Sequence, residues 1–357
     1  MIHPAQLPVF NESNSLENEV LRFLSEPEEG RFEPLALAIF NHQRDANPVY
    51  AKYCQHLGIP DRIDSWKRIP AIPQIAFKRS EIRSFPAQQT KTEFRTSGTT
   101  GEGHGKHFLP SLRLYEAAVL EGWANFRLPR HRLVLLMQHP DDAPFSSLSR
   151  MGDILAGSQR DRFVLAKNGG LELDRLQEEI NDREKPLTLF GTALAFLNLF
   201  EIYPDLRLEC PPGSLAIETG GFKGSGRDIG QRVLYEQLSL RLGIPIESIW
   251  NEYGMTELTS QFYSNGIGRS HRAPPWLRFQ VIDPDTNEEA SPGETGLLRI
   301  VDLANLWSVQ AVLTQDLAIA QADGGFLLLG RDPAALPRGC SRATDELIQF
   351  ASVLSPK

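Results

Sequence analysis

The chain has 357 residues, 41% of them hydrophobic and 23% charged, the proportions of a globular protein long enough for two or three domains. Its formal net charge of −8, with no basic cluster to interrupt it, argues against general nucleic-acid binding. Charges or prolines break every apolar stretch before the length of a membrane span, and "MIHPAQLPVFNESNSLENEV" lacks the basic start and apolar middle of a signal peptide, so a cytoplasmic protein is expected.

Residues 1–90 read as a helical and irregular segment. "PLALAIFNHQRDANPVYAKYCQHLG" places Leu35, Ala38, Ile39, Tyr50, Tyr53 and Leu57 at helical spacing, and the proline-punctuated "IPAIPQIAFKRSEI" reads as extended. Residues 91–270 alternate strand and helix. The apolar runs "RLVLLM", "LTLF", "SLAIE" and "SIWNEY" predict buried strands. Between them "SLRLYEAAVLEGWANF", "LELDRLQEEIND", "TALAFLNLFEIY" and "GRDIGQRVLYEQLSLRLG" predict amphipathic helices. This alternation predicts a layered α/β core. Over residues 271–335 the helical signal fades into strands joined by turns, with "DPDTNEE" and "ADGG" as hairpin candidates, which predicts a β-rich subdomain. Residues 336–357 form a short C-terminal tail.

Two glycine-rich stretches stand out. "TSGTTGEGHGKH", from Thr96 to His107, is either an exposed turn or a loop that closes over phosphate with backbone N–H groups, hydroxyls and Lys106. It is not a P-loop, because Thr100 stands where that motif has its first glycine and His107 follows the lysine. It is not a dinucleotide fingerprint either, because Lys106 takes the place of the last glycine. "TGGFKGSGRD", starting at Thr219, sits between a predicted strand and a predicted helix, as either a tight turn or a ligand loop. Cys54, Cys210 and Cys340 match no metal spacing; Cys54 and Cys210 read as structural. His104, His107 and His139 lack metal spacing and read as surface or loop residues, and Asp141 and Asp142 read as a solvated turn. Taken singly, Glu257 is an exposed carboxylate, Asp316 a turn residue and Tyr253 a half-buried aromatic.

Order changes that balance. "TSGTTG", then "NEYGMTE" (Asn251 to Glu257), "TQD" (ending at Asp316) and "GGFLLLGR" (ending at Arg331) together resemble the adenylate-forming superfamily of acyl-CoA synthetases, luciferases and peptide synthetases. "FNHQRDANPVYAKYCQHLG", "IPAIPQIAFK" and "TGGFKGSGR" resemble its acyl-protein synthetase branch, the LuxE-type enzymes that activate fatty acids for bioluminescence. The similarity runs from about residue 35 to residue 342, and phenylacetate–coenzyme A ligases are more distantly similar.

The resemblance implies the large-domain fold of these enzymes and a reaction of ATP, with Mg²⁺, and a carboxylic acid to an acyl-adenylate. Thr96, Ser97, Gly98, Thr99, Thr100 and Gly101 would supply donors to the β- and γ-phosphates and Lys106 a point charge. Gly220 and Gly221 would let the backbone approach adenine, and Tyr253 would stack on it. Thr256 would bond the α-phosphate, Glu257 would hold the metal, Asp316 would accept from the ribose hydroxyls, and Arg331 would reach ribose and phosphate. A carboxylate beside a hydroxyl suits a hard, oxygen-loving cation. Most of these enzymes carry a further C-terminal lid domain with a catalytic lysine, and too few residues follow Arg331 to build one. Acyl-protein synthetases share that shortening and use a cysteine near the C-terminus as acyl acceptor; Cys340 stands in a matching "RGCS", with Arg338 and Arg342 placed to favour its thiolate. The implied partners are a long-chain fatty acid and an acceptor protein such as a fatty acyl reductase. An acid–thiol ligase of the phenylacetate type and a catalytically silent nucleotide-binding subunit are the alternatives.

Overall fold

The computed structural model describes residues 12–97, 103–129, 131–220 and 230–331. The chain opens with α1 (Glu12–Ser25), α2 (Phe32–Ala46) and α3 (Pro48–His56). The predicted helical stretch is thus two helices, parted at Asn47. Its side chain caps α3 by accepting from the Val49 and Tyr50 N–H groups, with Pro48 at the first helical position. β1 (Ile72–Pro73) and α4 (Ala76–Arg79) follow, so the segment expected to be extended is strand for only two residues.

β2 (Thr92–Arg95) and β3 (Lys106–Leu109) form a hairpin. The layered core comes next: α5 (Arg113–Asn125), β4 (Arg132–Gln138), α6 (Ser147–Leu155), β5 (Phe163–Leu165), α7 (Leu173–Asn181), β6 (Leu187–Thr192), α8 (Ala193–Ile202), β7 (Leu215–Thr219), α9 (Gln231–Leu242), β8 (Ile249–Tyr253) and β9 (Phe262–Asn265). Each predicted strand and helix of this region is present within a few residues of its expected ends. The sheet runs β5-β4-β6-β7-β8-β9, parallel except for β9.

Both faces of this sheet are covered, which is why its strands read as continuous apolar runs. Alternate side chains of β4 go to opposite sides. Val134 and Leu136 pack with Leu176 of α7, Phe196 of α8 and Leu238 of α9. Leu133, Leu135 and Met137 pack with Val119 of α5 and Met151 of α6 in the larger core that continues into the N-terminal helices.

The last strands, β10 (Leu277–Ile282), β11 (Thr295–Asp302), β12 (Ala311–Ala320) and β13 (Phe326–Arg331), build a second sheet by antiparallel pairing. The "ADGG" turn joins β12 to β13, as expected. β1 joins this sheet from the other end of the chain, parallel to β12. Among the described residues no helix is long and apolar enough to cross a membrane.

Candidate active site

The β2–β3 hairpin fixes the base of the first glycine-rich loop. Arg95 pairs with Lys106 in register. One step further out, the Thr96 N–H donates to the Gly105 carbonyl at 3.0 Å, and the Thr96 hydroxyl accepts from the Gly105 N–H at 2.8 Å. His104 Nδ1 donates to the Thr96 carbonyl at 2.6 Å. Ser97 is exposed and Lys106 half-buried. Gly105 needs to be small: a Cβ there would lie 3.1 Å from Thr96 Cγ2 and 3.5 Å from Glu257 Oε1. The Glu257 carboxylate therefore stands directly against the root of the "TSGTTG" loop.

Glu257 reaches that position through β8. The parallel sheet delivers Gly220 and Tyr253 to the carboxyl ends of adjacent strands β7 and β8, where open α/β sheets place their ligands. Gly220 has φ +72°, a left-handed conformation suited to glycine. After Tyr253 the chain turns at Gly254, where a Cβ would collide with Glu252 Oε1 at 2.5 Å. The segment beyond Glu257 is then clamped. Asp302, at the end of β11, accepts from the N–H groups of Thr259, Ser260 and Ala304 at 2.9, 2.9 and 3.0 Å. Asn305 donates to the Glu257 carbonyl at 2.9 Å, and His107 Nδ1 donates to the Thr256 carbonyl at 2.7 Å.

The ribose candidates meet across a strand pair. Asp316 of β12 and Arg331 of β13 are partners in register, and Arg331 Nε donates to Asp316 Oδ1 at 3.3 Å. The other carboxylate oxygen accepts from the Tyr253 hydroxyl at 2.8 Å. The Tyr253 ring is held by Phe262, His271 and Phe326 at 5.8–6.0 Å between centroids. Gln74, just beyond β1, closes the circuit. Its amide oxygen accepts from Arg331 Nη2 at 2.9 Å, and its amide nitrogen donates to Glu257 Oε1 at 3.0 Å. A continuous line of hydrogen bonds therefore runs Tyr253–Asp316–Arg331–Gln74–Glu257 and ends at the hairpin loop.

Two further acids lie under this line. Burial pushes Glu252 up to about 7, against a hydrogen bond from the Thr219 hydroxyl that lowers it. Burial also pushes Glu218 up to about 7, opposed by Asn251 Nδ2, which donates at 2.6 Å. His107 and His271 are pushed down to about 4 by desolvation and are neutral. Cys54 and Cys210 are buried and their thiols are pushed up to about 12, which keeps them protonated and inert, in keeping with their structural reading.

Among the described residues no group of three or more His, Cys, Asp or Glu is placed to hold a metal. Mg²⁺ is commonly carried in by substrate phosphates and met by one or two carboxylates and water, and Glu257 is a 2%-exposed carboxylate at the loop root.

The sequence profile of the family described as "Acyl-protein synthetase, LuxE" matches residues 163–348, more than half of the chain. The chain belongs to this family. Two curated proteins are similar to this acyl-protein synthetase family member. The long-chain-fatty-acid–luciferin-component ligase of Aliivibrio fischeri is 23% identical over 333 residues, covering 86% of this chain and 85% of that one. The ligase of the same name from Vibrio harveyi is 22% identical over 315 residues, covering 82% and 79%. Among solved structures, an open conformation of 2-hydroxyisobutyryl-CoA ligase with 2-HIB-AMP and CoA matches at a TM-score of 0.61 and 13% identity, over 93% of this chain and 81% of that one. ATP-bound MatB from Rhodopseudomonas palustris matches at 0.50 and 18% identity, over 70% of this chain; the match covers 49% of the MatB chain. These likenesses show that the chain shares the fold of these two proteins.

The structure thus brings together Thr96, Lys106, Gly220, Tyr253, Thr256, Glu257, Asp316 and Arg331. Gly98, Thr99, Thr100, Gly101, Gly221 and Cys340 lie outside the described residues, as do Arg338 and Arg342. His107 corrects one expectation. It is fully buried on β3 rather than at the surface, paired in register with the buried Phe94 and edge-on to Phe77 at 6.3 Å. Asp141 and Asp142 are paired with Arg160 at 3.0 and 2.6 Å. Gln74 is a further site residue that sequence reasoning misses: it stands in "IPAIPQIAFK", where nothing local marks its amide as part of the site.

Proposed function

We propose that this acyl-protein synthetase family member activates a long-chain fatty acid with ATP and passes the acyl group to Cys340, and from there to an acceptor protein such as a fatty acyl reductase. The observation that carries the reading is the hydrogen-bonded line from Tyr253 to Glu257, which joins four motif segments far apart in the chain into one surface. ATP-bound MatB, with the same fold, supports the nucleotide.

In the first half-reaction a carboxylate oxygen of the acid attacks the α-phosphorus, the bond to the bridging oxygen breaks, and pyrophosphate leaves. Thr96, Ser97, Thr99 and Thr100, with the backbone N–H groups of Gly98 and Gly101, bind the β- and γ-phosphates, and Lys106 adds its charge. Gly220 and Gly221 admit the adenine to the strand ends, where Tyr253 lines its berth. Asp316 accepts from the ribose hydroxyls; Tyr253 and Arg331 leave it room, since each carboxylate oxygen can accept twice. Thr256 donates to the α-phosphate. Mg²⁺, held by Glu257, would neutralise charge on the phosphate oxygens as the bond breaks. In the second half-reaction the Cys340 thiolate attacks the carbonyl carbon of the adenylate, AMP leaves, and a thioester remains for transfer. This chemistry belongs in the cytoplasm, where ATP is supplied and the thiol stays reduced.

Fatty-acid-dependent exchange of labelled pyrophosphate into ATP tests the reading. Exchange should require both the acid and Mg²⁺. Its absence with every chain length of fatty acid offered would overturn the reading, and its absence with aryl acids as well would leave a silent nucleotide-binding subunit.

A further inference from the structure

Gln74 makes contacts that a bystander does not. Its position is set by the second sheet: Ile72 and Pro73 pair with Val312 and Leu313 of β12, and the Gln74 N–H donates to the Leu313 carbonyl at 2.9 Å. The side chain then spans two elements, β13 through Arg331 and the loop after β8 through Glu257. The amide can stand only one way round. A guanidinium only donates and an ionised carboxylate only accepts, so the oxygen faces Arg331 and the nitrogen faces Glu257. No charged or apolar side chain of this length satisfies both. Glutamate would pair with Arg331 but repel Glu257, lysine the reverse, and methionine would bond neither.

We propose that Gln74 is a positioning residue of the nucleotide site, a neutral bridge that orients the Glu257 carboxylate for the divalent cation and ties it to the Asp316–Arg331 pair. The proposal rests on the reading of Glu257 as the metal ligand and deepens it.

A double-mutant cycle on the full-length chain tests it, with Mn²⁺ as the probe and electron paramagnetic resonance as the readout of cation bound in the presence of ATP. Gln74→Ala should weaken Mn²⁺ binding about tenfold, the effect of one hydrogen bond to a charged group. Gln74→Met, which keeps the length and removes both hydrogen bonds, should behave alike, so that the loss is not one of packing. In a Glu257→Gln background the same Gln74 changes should alter Mn²⁺ binding less than about twofold, because the group they act through is gone. Equal losses in both backgrounds, or wild-type Mn²⁺ affinity in Gln74→Met, would overturn the bridge while leaving the nucleotide site in place. A wild-type chain that binds no Mn²⁺ with ATP would overturn the metal reading of Glu257 as well.

Discussion

Replacing Glu252 by glutamine should stabilise the protein, and only on the alkaline side. Glu252 is fully buried, and desolvation raises its carboxyl from an ordinary 4.5 to about 7. In the unfolded chain the group ionises above 4.5, while in the folded protein it holds its proton until about 7. Between these values the unfolded state binds fewer protons, so stability falls as pH rises through the window and is level beyond it. The full difference is about 3 kcal/mol at pH 8, at about 1.4 kcal/mol for each pH unit, and under about 1 kcal/mol at pH 5. Glutamine carries no such penalty and keeps a carbonyl to accept from the Thr219 hydroxyl. The gap between variant and wild type should therefore open by about 2 kcal/mol from pH 5 to pH 8. Urea unfolding followed by tryptophan fluorescence at the two pH values measures it. The same gap at both, or a glutamine variant less stable at pH 8, would mean that Glu252 is not kept neutral by burial.

Further outcomes follow from the site. Glu257→Gln should lower acid-dependent pyrophosphate exchange at least about a hundredfold, the usual effect of losing one transition-state electrostatic contact, and near-normal exchange would move the metal elsewhere. Tyr253→Phe leaves a buried Asp316 oxygen short of a 2.8 Å donor; stability should drop by about 2 kcal/mol, seen as a lower urea midpoint, and an unchanged midpoint would mean that this bond contributes nothing. Cys340→Ser should keep exchange within a few-fold yet lose hydroxylamine-labile acyl label from radiolabelled fatty acid, and equal labelling would eliminate this thiol as the acceptor.

Much of this was legible in the sequence because it is local. The apolar runs of β4, β6, β7 and β8 predict the buried strands of a layered α/β core, and the intervening amphipathic stretches predict its helices. The site residues announced themselves through the order of motif segments. What the sequence hid is what depends on pairing across long separations. "ANPV" carries a capping asparagine and a proline at the first helical position, so the break between α2 and α3 had a local signal that periodicity overrode. Gln74 had none: only the parallel pairing of β1 with β12, some 240 residues apart, sets its amide between Arg331 and Glu257. His107 lacks metal spacing and reads as a surface or loop residue, yet it pairs in register with the buried Phe94 and is buried with it.

Two glutamines of the N-terminal segment set the geometry of Glu257, the carboxylate proposed to meet the cation. Gln74 holds the Glu257 side chain. Gln43 of α2, a fully buried glutamine, holds its backbone at one remove. The Gln43 amide nitrogen donates to the Asn305 carbonyl at 2.8 Å and the Leu306 carbonyl at 3.0 Å, and its oxygen accepts from the Gln310 N–H at 2.9 Å. Asn305, so fixed, donates to the Glu257 carbonyl. Each of these amides is buried or half-buried and satisfied on both ends, so each specifies one arrangement at the cost of desolvating polar groups. A site that needed only nucleotide affinity would not require such bracing of a single carboxylate. The proposed role of Glu257, holding a cation in register with phosphates during bond breaking, does require it, because a displacement of about 1 Å there is enough to forfeit much of the rate.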